Sequence, residues 1–453
     1  MLDLFLAGFI ALILFMGLRR PFIWVLAYLY VDILAPQKIS FALLTHVQLS
    51  LVVFLLAVVG WLFFDSKQGT RLSFRQFLML LLLAYCFVTT QSAAFPAEAA
   101  NKWSWVWKSL VFAIFLPFTL RTRLRIEAAA LVMVLSAGAL ILDGAVKTLA
   151  GGGGYGALKF FINDNTGLYE GSTLACISIA IIPLALWLGK EGTIFPASPR
   201  TRFASYALAF AALLIPVGTE ARTGMLCAAL LAVLMMRSVR YRWLYAALLG
   251  LAALLVQPLL PSSFSSRMGT IENNQSDQSA STRIAVWKWT LGYAADNPFG
   301  GGFDSYRGNR VQVTTTDTPA GSTVTSSNKL VDQGRAFHSA YFEMLGEQGW
   351  PGLALWLTLQ ISGLVQLESI RRRLSKSTDP RDLRDAGLAM ALQQGHIVYL
   401  LGANFVGIAY QPFIYMLIAL QIALVQQVRA RSAAAIARPA RRMVVPGHPA
   451  PTA

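Results

Sequence analysis

Residues 171–189 read GSTLACISIAIIPLALWLG. The stretch holds no charged side chain, and its length is close to the ~20 residues a helix needs to cross a hydrocarbon core. Comparable runs recur at 2–18, 21–35, 46–64, 76–93, 104–120, 126–149, 203–218, 222–237, 242–260, 350–370, 386–406 and 410–428. Lipid offers no partner to a free backbone N–H or C=O, so such runs form helices or closed barrels. Barrel strands would alternate apolar and polar residues, and these runs do not. The composition agrees: of 453 residues 56% are hydrophobic and only 13% charged, too few to solvate a soluble surface of this size. The expected fold is an all-α polytopic membrane protein with about 12 or 13 spans, the short second run being the one that could be re-entrant.

The charge pattern supports the same spans. Basic residues gather in alternate connections: Arg19-Arg20; Lys67, Arg71 and Arg75; Arg121, Arg123 and Arg125; Lys190, Arg200 and Arg202; Arg237, Arg240 and Arg242; Arg371-Arg372-Arg373 with Lys376, Arg381 and Arg384; and the tail from Arg429 to Arg442. This set holds roughly 25 of the 38 basic residues, and the positive-inside rule makes its face cytoplasmic. The C-terminus then lies inside, and the N-terminus outside if every run crosses. The net charge of +16 therefore reflects topology, not nucleic-acid binding. Cys86, Cys176 and Cys227 lie within apolar runs and read as small buried residues. The first run lacks a basic leader and a small-residue cleavage site, so it reads as a retained span.

Four segments result: spans over 1–260, a large outer loop over 261–349, further spans over 350–430, and a basic, disordered tail over 431–453. A second outer connection, 150–170, carries Gly151 to Gly154, Lys159, Asn163, Asp164 and Asn165; without the strand, Lys and Ser/Thr of a nucleotide loop it reads as a flexible link. Within the large loop, Ser281-Thr282 can cap a helix ending at Asp296 before Asn297-Pro298, with Ile284, Trp287, Leu291 and Ala294 as an apolar stripe for the membrane interface. The Thr/Ser/Asp-rich stretch 311–334 is expected to be mobile. His338 to Gln348 is expected to form a short helix, broken at Gly349-Trp350-Pro351.

Three basic groups on the outer face invite chemistry. Arg222 follows the turn Gly218-Thr219-Glu220-Ala221, Arg283 opens the loop helix, and His338 opens the last one. A guanidinium forks onto phosphate oxygens and keeps its charge, so a pair at the surface suits a diphosphate whose lipid tail stays in the bilayer. Alternatively, Arg222 snorkels at a helix end and Arg283 belongs to a solvated face. His338 can take a proton from a hydroxyl near neutral pH, or can merely cap its helix. Glu220 precedes Arg222 by two residues. Glu343 and Glu347 stand one turn apart and either orient a cation or form a solvated face. His396 reads as a packing residue inside a span, and His46 and His448 carry no signal. No His/Cys/Asp cluster has metal-ligand spacing, so neither a metal nor another cofactor is called for.

Three strings carry a resemblance. Ser281-Thr282-Arg283, Trp287, Asn297-Pro298-Phe299-Gly300-Gly301-Gly302 and Tyr306 resemble the periplasmic loop of the O-antigen ligase and O-antigen polymerase superfamily. His338-Ser339-Ala340-Tyr341 with Glu347-Gln348-Gly349-Trp350-Pro351-Gly352 resembles its second hallmark. Glu220-Ala221-Arg222-Thr223-Gly224 resembles its Ser-Arg-Thr/Gly turn, with Ala in place of Ser. Arg20-Pro21 and Ala35-Pro36-Gln37 more loosely resemble ligase-like proteins associated with the exosortase export system.

The resemblance implies an enzyme of the bacterial inner membrane. It would transfer a glycan from an undecaprenyl-pyrophosphate carrier to a hydroxyl of lipid A-core, another glycan or a protein, with inversion and without a metal. Arg222 and Arg283 would hold the pyrophosphate, and His338 would orient or deprotonate the acceptor. Glu220, Trp287, Tyr306 and Tyr341 come along as candidate substrate-binding residues. A polymerase would use the same donor with a second lipid-linked unit as acceptor. A transporter or flippase, the reading of another class, predicts charged or broken helices at the bilayer midplane and repeated halves.

Overall fold

The computed structural model describes residues 2–67, 70–151, 167–237, 241, 278–317 and 326–437. The expected span 242–260, the segments 152–166, 261–277 and 318–325, and the tail beyond 437 lie outside the described residues. The helices before the loop are α1 (Leu2–Arg19), α2 (Phe22–Leu34), the one-turn α3 (Pro36–Ile39), α4 (Leu49–Phe64), α5 (Phe74–Gln91), α6 (Pro96–Thr119), α7 (Arg123–Gly151), α8 (Gly171–Glu191), α9 (Pro199–Gly218) and α10 (Arg222–Met236). The loop contributes α11 (Gln278–Asp296), a 3-10 turn (Ser305–Gly308) and strands β1 (Arg310–Asp317) and β2 (Ser326–Gln333). The chain ends with α12 (Ala340–Leu374), α13 (Pro380–Gly402) and α14 (Pro412–Ala437). It is an all-α polytopic membrane protein: among the described residues α5, α7, α8, α9, α12 and α14 are long and apolar enough to cross a bilayer. Shorter apolar helices are α2, α4 and α10.

Local chemistry sets the helix starts. Ser73 and Gln76 form a reciprocal capping box on α5, as Ser198 and Thr201 do on α9. The Glu170 carboxylate accepts from the Ser172 and Thr173 amides at 3.0 and 2.5 Å and caps α8. α8 and α14 are buried along most of their length and form the centre. Large apolar side chains such as Phe5, Phe63, Phe87, Val146 and Phe203 point outward from the peripheral helices, the inverse of a soluble surface. All three cysteines are free and buried.

Ion pairs sort the chain into two ends. At one end Arg125 meets Asp65, Arg123 meets Glu127 and Asp385, and Arg431 meets Asp382 and Asp385, all from connections expected on one face. Arg75 departs from that expectation. It is buried and donates to Gln421 Oε1 at 2.8 Å, in space left by Gly363. Gln421 Nε2 lies 3.1 Å from His396 Nδ1, and His396 Nε2 lies 2.7 Å from Gln360 Oε1. Nδ1 therefore accepts while Nε2 donates, and His396 serves as a packing histidine satisfied on both nitrogens.

The loop differs from its expected form in three places. α11 is already helical at Gln278, so Ser281 and Thr282 lie inside the helix and do not cap it. Its apolar stripe is divided: Val286, Thr290 and Ala294 face the protein, one turn apart, while Ile284 and Leu291 face outward. The stretch expected to be mobile contains an antiparallel ladder, from Arg310 opposite Gln333 to Asp317 opposite Ser326. The run Val311 to Thr316 suits a strand because every second residue or more is β-branched.

Candidate active site

Two glycine motifs hold the site together. After α11 the chain turns through Asn297 to Gly302, with Gly300 and Gly302 at φ +85° and +76°. These backbones press against the N-terminal turns of α12. Gly301 N–H donates to Gly346 O at 3.0 Å, Gly302 N–H to Glu347 O at 2.9 Å, and Trp350 N–H to Pro298 O at 3.0 Å. α12 yields to this contact at Gly349, whose φ of +63° and ψ of −167° is a conformation kept for glycine. The expected break falls at Gly349, where two helical segments of α12 meet across a kink and Pro298 and Gly301 supply the bonds lost there.

The kink aims one face of α12 inward. Glu343 and Glu347 are buried and do not form a solvated face. Lys102 of α6 donates 2.7 Å bonds to an oxygen of each and stands 3.6 Å from Asp304. The second Glu343 oxygen accepts from Ala409 N–H at 2.9 Å, and Asp304 N–H donates to Glu347 Oε1 at 3.0 Å. Glu347 Oε2 is buried without a hydrogen-bond partner. Sequence reasoning missed Lys102 and Asp304. The available signal was a lysine next to the run of Trp103, Trp105 and Trp107 at the start of an apolar run.

Lys102, these carboxylates, Arg283 and His338 line one cavity of about 430 Å³. His338 sits before the Ser339 N-cap of α12 with φ +47°, a conformation that costs a bulky residue about 1 kcal/mol or more. Its neighbours hold it there: Trp287 Nε1 donates to Phe337 O at 2.9 Å and Ala340 N–H to Ala403 O at 2.8 Å. Burial lowers the His338 pKa below its usual 6.5, Arg283 and Arg335 lower it further, and Glu170 opposes them. The imidazole is therefore neutral at neutral pH and able to accept a proton. Among the described residues the non-glycine positions with positive φ are Ala35, Glu220, Asp304 and His338, so strain concentrates around this cavity and the Arg222 turn.

The other sequence candidates divide. Tyr306 lines the cavity and packs edge-on against Phe337, with ring centres 5.7 Å apart. Trp287 stacks on Phe342 at 5.0 Å and supports the His338 segment, outside the lining. Tyr341 points into the bundle, donating to Leu400 O at 3.1 Å and meeting Trp356 edge-on. Glu220 and Arg222 are not among the lining residues. Their turn stands beside it: a Cβ on Gly171 would meet Thr219 at 3.4 Å, and Gly171 lies between the lining residues Glu170 and Ser172.

Comparison with protein families matches residues 207–357 to a family described as O-antigen ligase. Residues 1–193 match a family of unknown function, DUF5935. No curated protein matches the chain. The O-antigen ligase segment contains Arg222, Arg283, His338, Glu343 and Glu347, while Lys102 and Glu170 come from the DUF5935 segment. The cavity is therefore a joint product of both segments. The ligase segment supplies the strained histidine, and the N-terminal segment supplies the cation that gathers its carboxylates.

Proposed function

We propose that the protein is an inner-membrane glycosyltransferase of ligase type, moving a glycan from undecaprenyl pyrophosphate to an acceptor hydroxyl at the periplasmic end of the bundle. The observation that carries this reading is the shared cavity of Arg283, a permanent cation, and His338, a base kept neutral. A diphosphate leaving group gains charge as its bond to the anomeric carbon breaks. Fixed guanidinium donors bind that charge most tightly at the transition state. Arg283 occupies this role, with Arg222 as the second guanidinium from the adjoining turn. The acceptor oxygen attacks the anomeric carbon from the face opposite the diphosphate, its proton passes to His338, and the configuration inverts. The diphosphate departs as an anion without protonation, so no carboxylic acid need serve the leaving group, unlike glycoside hydrolysis.

The experiment uses the purified protein in lipid nanodiscs with a lipid-linked glycan. Incubation with acceptor should release undecaprenyl pyrophosphate and yield glycosylated acceptor. Chain growth from the lipid-linked glycan alone would assign the polymerase reaction at the same site. Absence of either product with both substrates bound would remove the transferase reading.

A further inference from the structure

A second cavity lies far from the first. One of its residues, Arg371, sits in the last turn of α12, about 33 Å along that helix from the Gly349 kink. α10 and α12 each pack against α13, and a groove of about 190 Å³ runs over α13 between them. Its floor is one face of α13: Met390, Gln393, Gln394 and Ile397, spaced three and four residues apart. Its walls are Leu234 and Arg237 at the end of α10, and Arg371 at the end of α12. No carboxylate lines it.

The two buried glutamines tie the walls to the floor. Gln394 Nε2 donates to Leu234 O and Gln393 Nε2 to Leu364 O, both at 3.3 Å. Leu234 O belongs to the last turn of α10, so Gln394 satisfies a carbonyl that would otherwise repel an anion. Arg371 is held in place by a fork on Glu368, to which Nε and Nη2 donate at 2.9 and 2.8 Å. That fork leaves Nη1 unused. Glu368 also accepts from Arg372 at 2.6 Å, so one carboxylate serves two guanidiniums. Arg237 is exposed and makes no ion pair among the described residues. The groove therefore carries an excess of positive charge. Apolar surface adjoins it: Leu234, Met390 and Ile397 inside, Val233 exposed one turn before Arg237, and Ile361 and Val365 exposed on α12.

We infer that this groove seats the phosphate of an anionic phospholipid, bridged by Arg237 and Arg371, with its acyl chains along Val233, Val365 and Ile361. Guanidiniums match phosphate oxygens and keep their charge. Basic pockets between membrane helices on the cytoplasmic side bind such headgroups, and the basic connections assign this end of the bundle to that side. A soluble phosphate has the charge but covers none of the apolar surface. A zwitterionic headgroup brings a cation of its own to the two arginines. The bound lipid joins the end of α10 to the end of α12. The site is independent of the transferase reading.

The test is a titration of the full chain in detergent, read by native mass spectrometry and by the thermal midpoint. The probes are dioleoyl phosphatidylglycerol, dioleoyl phosphatidylcholine and inorganic phosphate. Phosphatidylglycerol should stay bound and raise the midpoint, and the other two should do neither. Arg237→Gln removes a guanidinium that holds no ion pair, so the fold should survive while phosphatidylglycerol affinity falls about 10-fold or more. Arg371→Gln should weaken binding by a similar factor. Arg202→Gln, exposed in another basic connection, should leave it unchanged. Equal retention of phosphatidylcholine, undiminished binding in folded Arg237→Gln, or an equal loss in Arg202→Gln would overturn the site. A midpoint raised as much by inorganic phosphate would overturn the lipid and leave a soluble-anion site.

Discussion

Gly300 and Gly349 lie backbone to backbone: a Cβ on Gly300 would stand 2.5 Å from the Gly349 amide nitrogen, and a Cβ on Gly349 2.5 Å from that of Gly300. Neither residue can gain a side chain without separating the loop from α12. That contact orients Glu347 and, through it, the cavity floor. Gly349→Ala combines a forbidden conformation with a clash against Pro298 O at 2.2 Å. It should cost about 2 kcal/mol or more, read as a lowered thermal midpoint in detergent.

Lys102→Met leaves Glu343 and Glu347 facing each other without their cation. Breaking a buried pair on one side typically costs about 3–5 kcal/mol. Lys102→Arg should retain more stability than Lys102→Met. Thermal unfolding of both variants checks this, and equal midpoints would remove Lys102 as the organiser of the cluster.

The His338 titration sets an acid limit to transfer. Its neutral form is the competent base, and its folded pKa lies below 6.5. Between the folded and unfolded values the unfolded chain binds more protons, so stability contributed by this residue rises with pH across that window. Likewise kcat/KM should stay level down to the depressed pKa and fall below it. Arg335→Ala removes one cation from the imidazole, so the acid limb should move to higher pH; pH–rate profiles of the two proteins measure the difference.

Chelation should leave transfer intact. Asp304, Glu343 and Glu347 converge on the Lys102 ammonium, which fills the position a divalent ion would take. Activity lost in EDTA and restored by a divalent cation would contradict the role given to the two guanidiniums.

The helices were legible because lipid imposes a simple rule: each expected run within the described residues coincides with a helix. The polar features were less so. Local spacing placed Arg75 among solvated charges and left Glu343 and Glu347 open between orienting a cation and an exposed face; partners 346 residues away (Gln421) and 241 and 245 residues away (Lys102) turn them inward. The β-hairpin was hidden by a polar composition that also suits a loop. His338 and Arg283 were recognisable as chemistry-bearing types, but their common cavity depends on the glycine contact, which no spacing reveals. Trp287 and Tyr341 illustrate the converse, since motif residues near a site can support it without lining it.

The central claim is that Arg283 and His338 act on one substrate in one cavity, and a double-mutant cycle on the transfer rate tests it most directly. Arg283→Ala and His338→Ala should each lower kcat/KM by about 100-fold or more, with the proteins still inserted. Residues serving the same transition state are strongly non-additive, so the double variant should lose little beyond the worse single variant. Losses that multiply, or full activity in either single variant, would contradict the account.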